Sequence, residues 1–118
     1  MRTRDEKIER LLPLKAAWFH ILLALGDGSR HGYAIRTEVE ERTQGRVRLW
    51  PATLYGSIWE LAAAALIEEH DTEPDPADDP RRRYYRLTGL GKRVLAAEVA
   101  RMQALVDAAR STRALGQT

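Results

Sequence analysis

The sequence predicts a mainly α-helical fold carrying one small β-hairpin, and three observations predict it. Apolar residues recur at helical spacing through residues 8–25, 31–43, 51–64 and 90–113. Two shorter stretches, 66–70 and 82–87, read as strands, the second alternating Arg83, Tyr85 and Leu87 against Arg82, Tyr84 and Arg86. Pro51 opens the third helical stretch at a first position, where its pre-set φ and missing N–H cost nothing, shortly after Gly45 stops the second. Helix, short connection, helix and then hairpin is the order of a winged helix-turn-helix, here followed by one long last helix. A chain of 118 residues holds one domain and at most one appended element. The division is expected after Thr88, with 1–88 as the winged unit and its N-terminal helix and 89–118 as a dimerisation helix and frayed tail.

Composition narrows the function classes. Hydrophobic residues at 44% and charged residues at 31% are ordinary for a globular chain and exclude disorder for its bulk. The net charge is only +2, so a nucleic-acid surface has to come from where the arginines sit rather than from their total. There is no cysteine, which removes disulfides, thiolate zinc sites and thiol catalysis and is compatible with a reducing cytoplasm, the expected location. The charged start leads into no long apolar run, so neither a signal peptide nor a membrane span is expected. With no phosphate-cradling glycine loop, no metal-ligand cluster and no convergent Ser, His and Asp set, no catalytic residue, metal or cofactor is assigned.

In chain order, Ile8, Leu11, Leu12, Trp18, Leu22 and Leu25 keep helical spacing across Pro13, which predicts a main helix starting near residue 13 and a separate turn over residues 8–12. Residues 18–25 are apolar on nearly all sides, more than a surface helix requires, and one side is expected to meet another subunit. His20 within this run has no second ligand at metal spacing and reads as a structural histidine. After the turn at 26–29, residues 31–43 read as a second helix with Ile35 and Val39 inward.

The helix from Pro51 places Leu54, Ile58, Leu61 and Ala65 on one stripe and Ala52, Tyr55, Gly56 and Trp59 on the other side. Small residues between two aromatics leave room for a groove of DNA; the alternative packs Tyr55 and Trp59 under a neighbouring loop. Arg46 and Arg48 lead into this helix as candidate phosphate contacts, whereas Arg36 and Arg42 read equally as a solvated face balanced by Glu38, Glu40 and Glu41. Between the strands, residues 71–80 form a proline-rich acidic stretch, expected to be a mobile loop with its tip turned from phosphate, while Arg81, Arg82 and Arg83 at its base face it. Thr88 caps a last helix over about residues 90–113, in which Leu95, Val99, Met102, Val106 and Ala109 form an a/d seam. At about 34 Å such a helix outruns the small domain and is expected to pair with a second copy, the alternative being to fold back on the first helix.

The segments His31-Gly-Tyr-Ala-Ile35, Pro51-x-Thr-Leu-Tyr55, Leu66-Ile67 and Arg82-Arg-Tyr-Tyr-Arg-Leu-Thr88 with Gly91, in this order and spacing, resemble the PadR family of bacterial and archaeal transcriptional regulators over about residues 14–106. The resemblance implies a homodimer built by the first and last helices, and a repressor that leaves its double-stranded operator on binding a small molecule. Matched position by position, it implies DNA contacts from Tyr33, Thr53, Tyr55 and the wing arginines; with the residues read above, the expected DNA surface is Tyr33, Arg46, Arg48, Ala52, Thr53, Tyr55, Gly56, Arg81, Arg82 and Arg83. It also places ligands of short members near the dimer interface, where Trp18 and Met102 offer a flat and an adaptable face for a small aromatic effector; plain core packing is the alternative for both. The chain departs from the family pattern at Trp50, where a capping side chain is common, at Ala65, where glycine is usual, at Trp59, often basic in relatives, and in a last helix without aromatics. A protein-interaction module is the competing reading, with the apolar first helix, Trp59 and the acidic wing tip as its surface.

Overall fold

A computed structural model describes residues 4–70 and 82–116. The expected acidic loop at 71–80, Arg81 and the last two residues of the tail lie outside the described residues. Six helices and three strands follow one another as α1 (Arg4–Leu11), α2 (Ala16–Ala24), β1 (Arg30–His31), α3 (Gly32–Arg42), α4 (Pro51–Ala63), β2 (Ile67–Glu69), β3 (Tyr84–Leu87), α5 (Gly89–Arg110) and α6 (Arg113–Gly116) among the described residues.

The first helical stretch departs from expectation. Residues 4–11 form a helix of their own, not a turn at 8–12, and it buries Ile8 and packs against α5. The main helix starts at Ala16 rather than near residue 13, because Lys15 is still extended at φ −57 and ψ 143 and the N–H of Leu14 is donated to Glu98 Oε2 at 2.7 Å. Helix α2 then runs through the centre of the molecule, packing on α3, α4 and α5, with Ile21, Leu22 and Ala24 buried. Most of its surplus of apolar surface is therefore used within the chain. His20 lies edge-on to Phe19 at 5.6 Å, and burial lowers its pKa from the ordinary imidazole value.

Helix α3 buries Ile35 and Val39 and stops at Arg42. Gln44 and Gly45 then turn left-handed at φ 52 and 77, and the Gly45 N–H closes on Glu40 O at 2.7 Å. Thr43 Oγ1 donates to Val39 O at 2.9 Å and accepts from Val47 N at 3.0 Å, which sets the direction of the chain into α4. As expected of Trp50, α4 has no side-chain cap and relies on Pro51. Leu54, Ile58 and Leu61 are buried, together with Ser57. Ala65 does not continue their stripe: the helix has ended, Ala65 is exposed, and its φ of 62 turns the chain so that the Leu66 N–H reaches Leu61 O at 2.9 Å.

The hairpin is a three-stranded antiparallel sheet of order β1-β3-β2, with Arg30 opposite Tyr85 and Ile67 opposite Leu87. Strand β1 was not expected, since two residues beside a glycine-rich turn carry no periodicity. Helix α5 begins where Thr88 Oγ1 accepts from Gly91 N at 2.9 Å, and its inward face is Gly91, Val94 and Glu98. It shares the single core of residues 4–88 through Val94. The tail is not wholly frayed, because residues 113–116 form a last helical turn after α5 ends at Arg110. Glu98 is 1% exposed and accepts from Leu14 N and from Arg101 Nε. The hydrogen bond from Arg101 and the one from Leu14 hold its carboxyl below the ordinary range against the opposing cost of burial.

Only glycine adopts a positive φ without steric cost, so Ala65 stores strain that its exposed methyl does not return in packing. Ala65→Gly is expected to stabilise the chain by about 1 kcal/mol, raising Tm by about 4 °C. A Tm that is unchanged or lower would show that the strain is absent or the methyl packs.

Candidate nucleic-acid interface

Strand β1 and the start of α3 bring the second helix against the wing. His31 caps α3 by accepting from Ala34 N on Nδ1 at 3.1 Å, and its Nε2 stands 3.1 Å from Arg82 Nη1. The same ring stacks near Tyr33, centroids 6.4 Å apart, and meets Tyr84 edge-on at 5.3 Å. Sequence reading missed this histidine as an organising residue, because a helix start is recognised from Ser, Thr, Asp or Asn and an imidazole acceptor is rarely sought there.

Beside it lies a cleft of about 330 Å³ lined by His31, Gly32, Tyr33, Tyr55, Arg82, Arg83 and Tyr85. Four residues expected on the DNA surface, Tyr33, Tyr55, Arg82 and Arg83, thus come together from α3, α4 and the wing. Tyr55 lies across the start of α3 because Gly32 has no side chain: a Cβ there would stand 2.9 Å from the Tyr55 ring. Burial and then Glu69 raise the Tyr85 pKa above the ordinary phenol value, so Tyr85 offers a neutral hydroxyl.

Helix α4 turns Ala52, Thr53, Tyr55, Gly56 and Trp59 to solvent. Trp59 is 72% exposed, which removes for it the alternative of packing under a loop. Trp50, at the entry to the helix, is exposed and held by the Arg36 guanidinium 5.6 Å above its ring. Glu60 is turned aside, accepting from Lys15 Nζ at 3.3 Å and Trp18 Nε1 at 3.4 Å.

Few arginines near this surface are uncommitted. Arg30 and Arg42 pair with Glu38, Arg36 with Glu40, and Arg86 with Glu68. Arg83 pairs with Glu69 at 3.1 Å, an exposed pair that solvent weakens and a phosphate can replace. Arg46 and Arg48, both exposed, have no ion-pair partner among the described residues. Arg81 lies outside them.

The residues expected at the dimer seam divide. Leu95 packs on the core, Met102 and Ala109 are half-buried, and Val99 and Val106 are exposed at 48% and 44% with Leu105 and Leu115 also open. Trp18, expected beside Met102 at an effector site, packs on the core with its N–H on Glu60 of α4. No group of three His, Asp or Glu side chains that could hold a metal occurs among the described residues.

Gly32→Ala is expected to change stability by less than about 1 kcal/mol while displacing the exposed Tyr55 ring, seen as altered Tyr55 ring contacts in NMR spectra with a near-native Tm. A large fall in Tm would mean that the ring is fixed and supports the fold.

Comparison with known proteins places this geometry. The model of the Transcriptional regulator PadR-like family matches residues 21–97. An uncharacterized protein of Lysinibacillus sphaericus is 36% identical over 75 residues, covering 64% of this chain and 67% of that protein. Among solved structures, RosR of H. salinarum superposes with a TM-score of 0.64 at 26% identity, over 80% of this chain and 78% of its own. Bacillus subtilis PadR, solved in complex with operator DNA, superposes with a TM-score of 0.61 over 74% of this chain and 48% of its own, and at 22% identity this likeness speaks for the fold alone.

Proposed function

The chain belongs to the PadR-like family of transcriptional regulators, and on that premise we propose that it binds a double-stranded operator as a homodimer and represses transcription there. The observation that carries the reading is the convergence of Tyr33, Tyr55, Arg82 and Arg83 on one cleft beside the exposed face of α4, with Arg46 and Arg48 uncommitted just ahead of that helix. Helix α4 enters the major groove, the arginines hold phosphates on its walls, and the wing follows the backbone. No helix among the described residues is long and apolar enough to cross a membrane. The B. subtilis neighbour solved with operator DNA supports this docking by its fold.

Footprinting on the DNA upstream of its own gene, followed by a salt titration, tests the reading. Arg46→Ala, Arg48→Ala and Arg82→Ala should each weaken binding to all sequences about equally and lower the salt slope by about one. Loss confined to one operator base with the slope intact would make that arginine a sequence reader instead. Exposed Trp59 favours a second reading, docking of a partner protein on the same face; binding that is insensitive to salt and independent of DNA would select it.

The dimer is proposed to form through Val99, Met102 and Val106 of α5 with a copy of itself, since the valines on this half of the helix are exposed. Val99→Asp puts two like charges into an apolar contact and should yield monomers in sedimentation; a stable dimer would place the interface elsewhere. A small aromatic effector acting between Trp18 and Met102 is the proposed release signal. It would displace an indole whose N–H is bonded to Glu60 on α4, and so act on the reading helix directly. Quenching of Trp18 fluorescence in a Trp50→Phe, Trp59→Phe background, together with weakened operator binding, is the expected result; an unchanged signal across a panel of aromatic compounds would remove the effector site.

A further inference from the structure

The outward side of α4 is unusual in what it lacks. Its thirteen residues, Pro51–Ala63, contain no Arg, Lys, Asp, Asn or Gln. Its single charged side chain, Glu60, is held by Lys15 and Trp18 from α2. Ser57 is buried, so the surface offered to a groove is Ala52, Thr53, Tyr55, Gly56 and Trp59. Guanine is read in the major groove by Arg or Lys, adenine by Asn or Gln, and cytosine by Asp or Glu. None of these is available on this face. What remains is apolar contact, together with the hydroxyls of Thr53 and Tyr55, which both donate and accept and so tell the bases apart weakly; for apolar contact the only methyl group displayed by the four bases in that groove is the C5-methyl of thymine.

Resting on the operator reading above, we propose that α4 selects its operator through thymine C5-methyl groups, packed against Ala52, the Thr53 methyl and the aromatic faces of Tyr55 and Trp59. Two further observations favour DNA on this face. A Cβ built at Gly56 meets nothing within 4 Å, so nothing inside the protein requires glycine there, and its absence opens space in front of the helix. The neutral strip lies between Arg46 and Arg48 at its entry and Arg82 and Arg83 on the wing, the charge pattern of a groove floor between two phosphate walls.

The full chain is first used to select from a pool of randomised duplexes. The selected duplex is then tested with each thymine replaced in turn by uracil, which deletes the methyl and leaves base pairing intact. Enriched sites should carry thymines at the positions protected by α4, and each uracil there should weaken binding about fourfold, the worth of one buried methyl group, with no effect outside the footprint. Thr53→Ser, which removes one methyl and keeps the hydroxyl, should abolish the uracil effect at one base pair of each half-site and leave the others. Enrichment of a site whose affinity is indifferent to uracil, in the native chain and in Thr53→Ser alike, would overturn the thymine inference while leaving operator binding intact. Failure to enrich any duplex would overturn both.

Discussion

The backbone at Leu66 is the junction on which α4, the wing and the last helix all depend. Its N–H closes the end of α4 on Leu61 O, and its carbonyl accepts the Thr88 N–H at 3.1 Å. Thr88 Oγ1 reaches across to Ala65 O at 2.6 Å while accepting from Gly91 N, so one side chain binds the end of α4 and starts α5 together. Gly91 fits because it has no side chain: a Cβ would stand 1.9 Å from Leu66 O. With β2 beginning at Ile67, the angle between α4 and the wing beside it is set within three residues.

A second group of contacts turns this frame into a surface. His31 contributes one ring nitrogen to the first turn of α3 and points the other at Arg82, joining the supporting helix to the wing without a covalent link. Arg30 continues the same strand, with its Nε on Ala24 O at 2.8 Å at the end of the central helix. Acidic residues of α3 and the wing strands pair with Arg36, Arg42, Arg83 and Arg86, which leaves Arg46 and Arg48 as the arginines ahead of α4 without an ion-pair partner among the described residues.

Two carboxylates connect the ends of the molecule. Glu60 ties the start of α2 to α4, and Glu98 ties the segment ahead of α2 to α5. A charge as deeply placed as Glu98 is tolerable only because a guanidinium and a backbone N–H satisfy it, and losing either partner would leave a buried group unpaired. Glu98 and Glu60 together thus join α5 to α4 through the start of α2, with Leu14, Lys15 and Trp18 between them.

Much of the fold was legible in the order of residues alone. Pro51 and Thr88 marked two helix starts, and the spacing of Leu54, Ile58 and Leu61 identified the inward side of α4, because each is a signal contained within one element, whereas Tyr33 was reached only through the family resemblance. Strand β1 and the buried Glu98 were not legible, since each exists only through a partner distant in the chain, and the cap from His31 was missed because histidine is not among the usual capping residues; the left-handed turn at Ala65 was legible only because the family pattern has glycine there. The sequence by itself determined which side chains α4 displays, since helical periodicity places them whatever the helix packs on. Only the tertiary structure decided which cations stay uncommitted beside them, because pairs such as Arg83 with Glu69 form between elements whose separation is set by packing of the core.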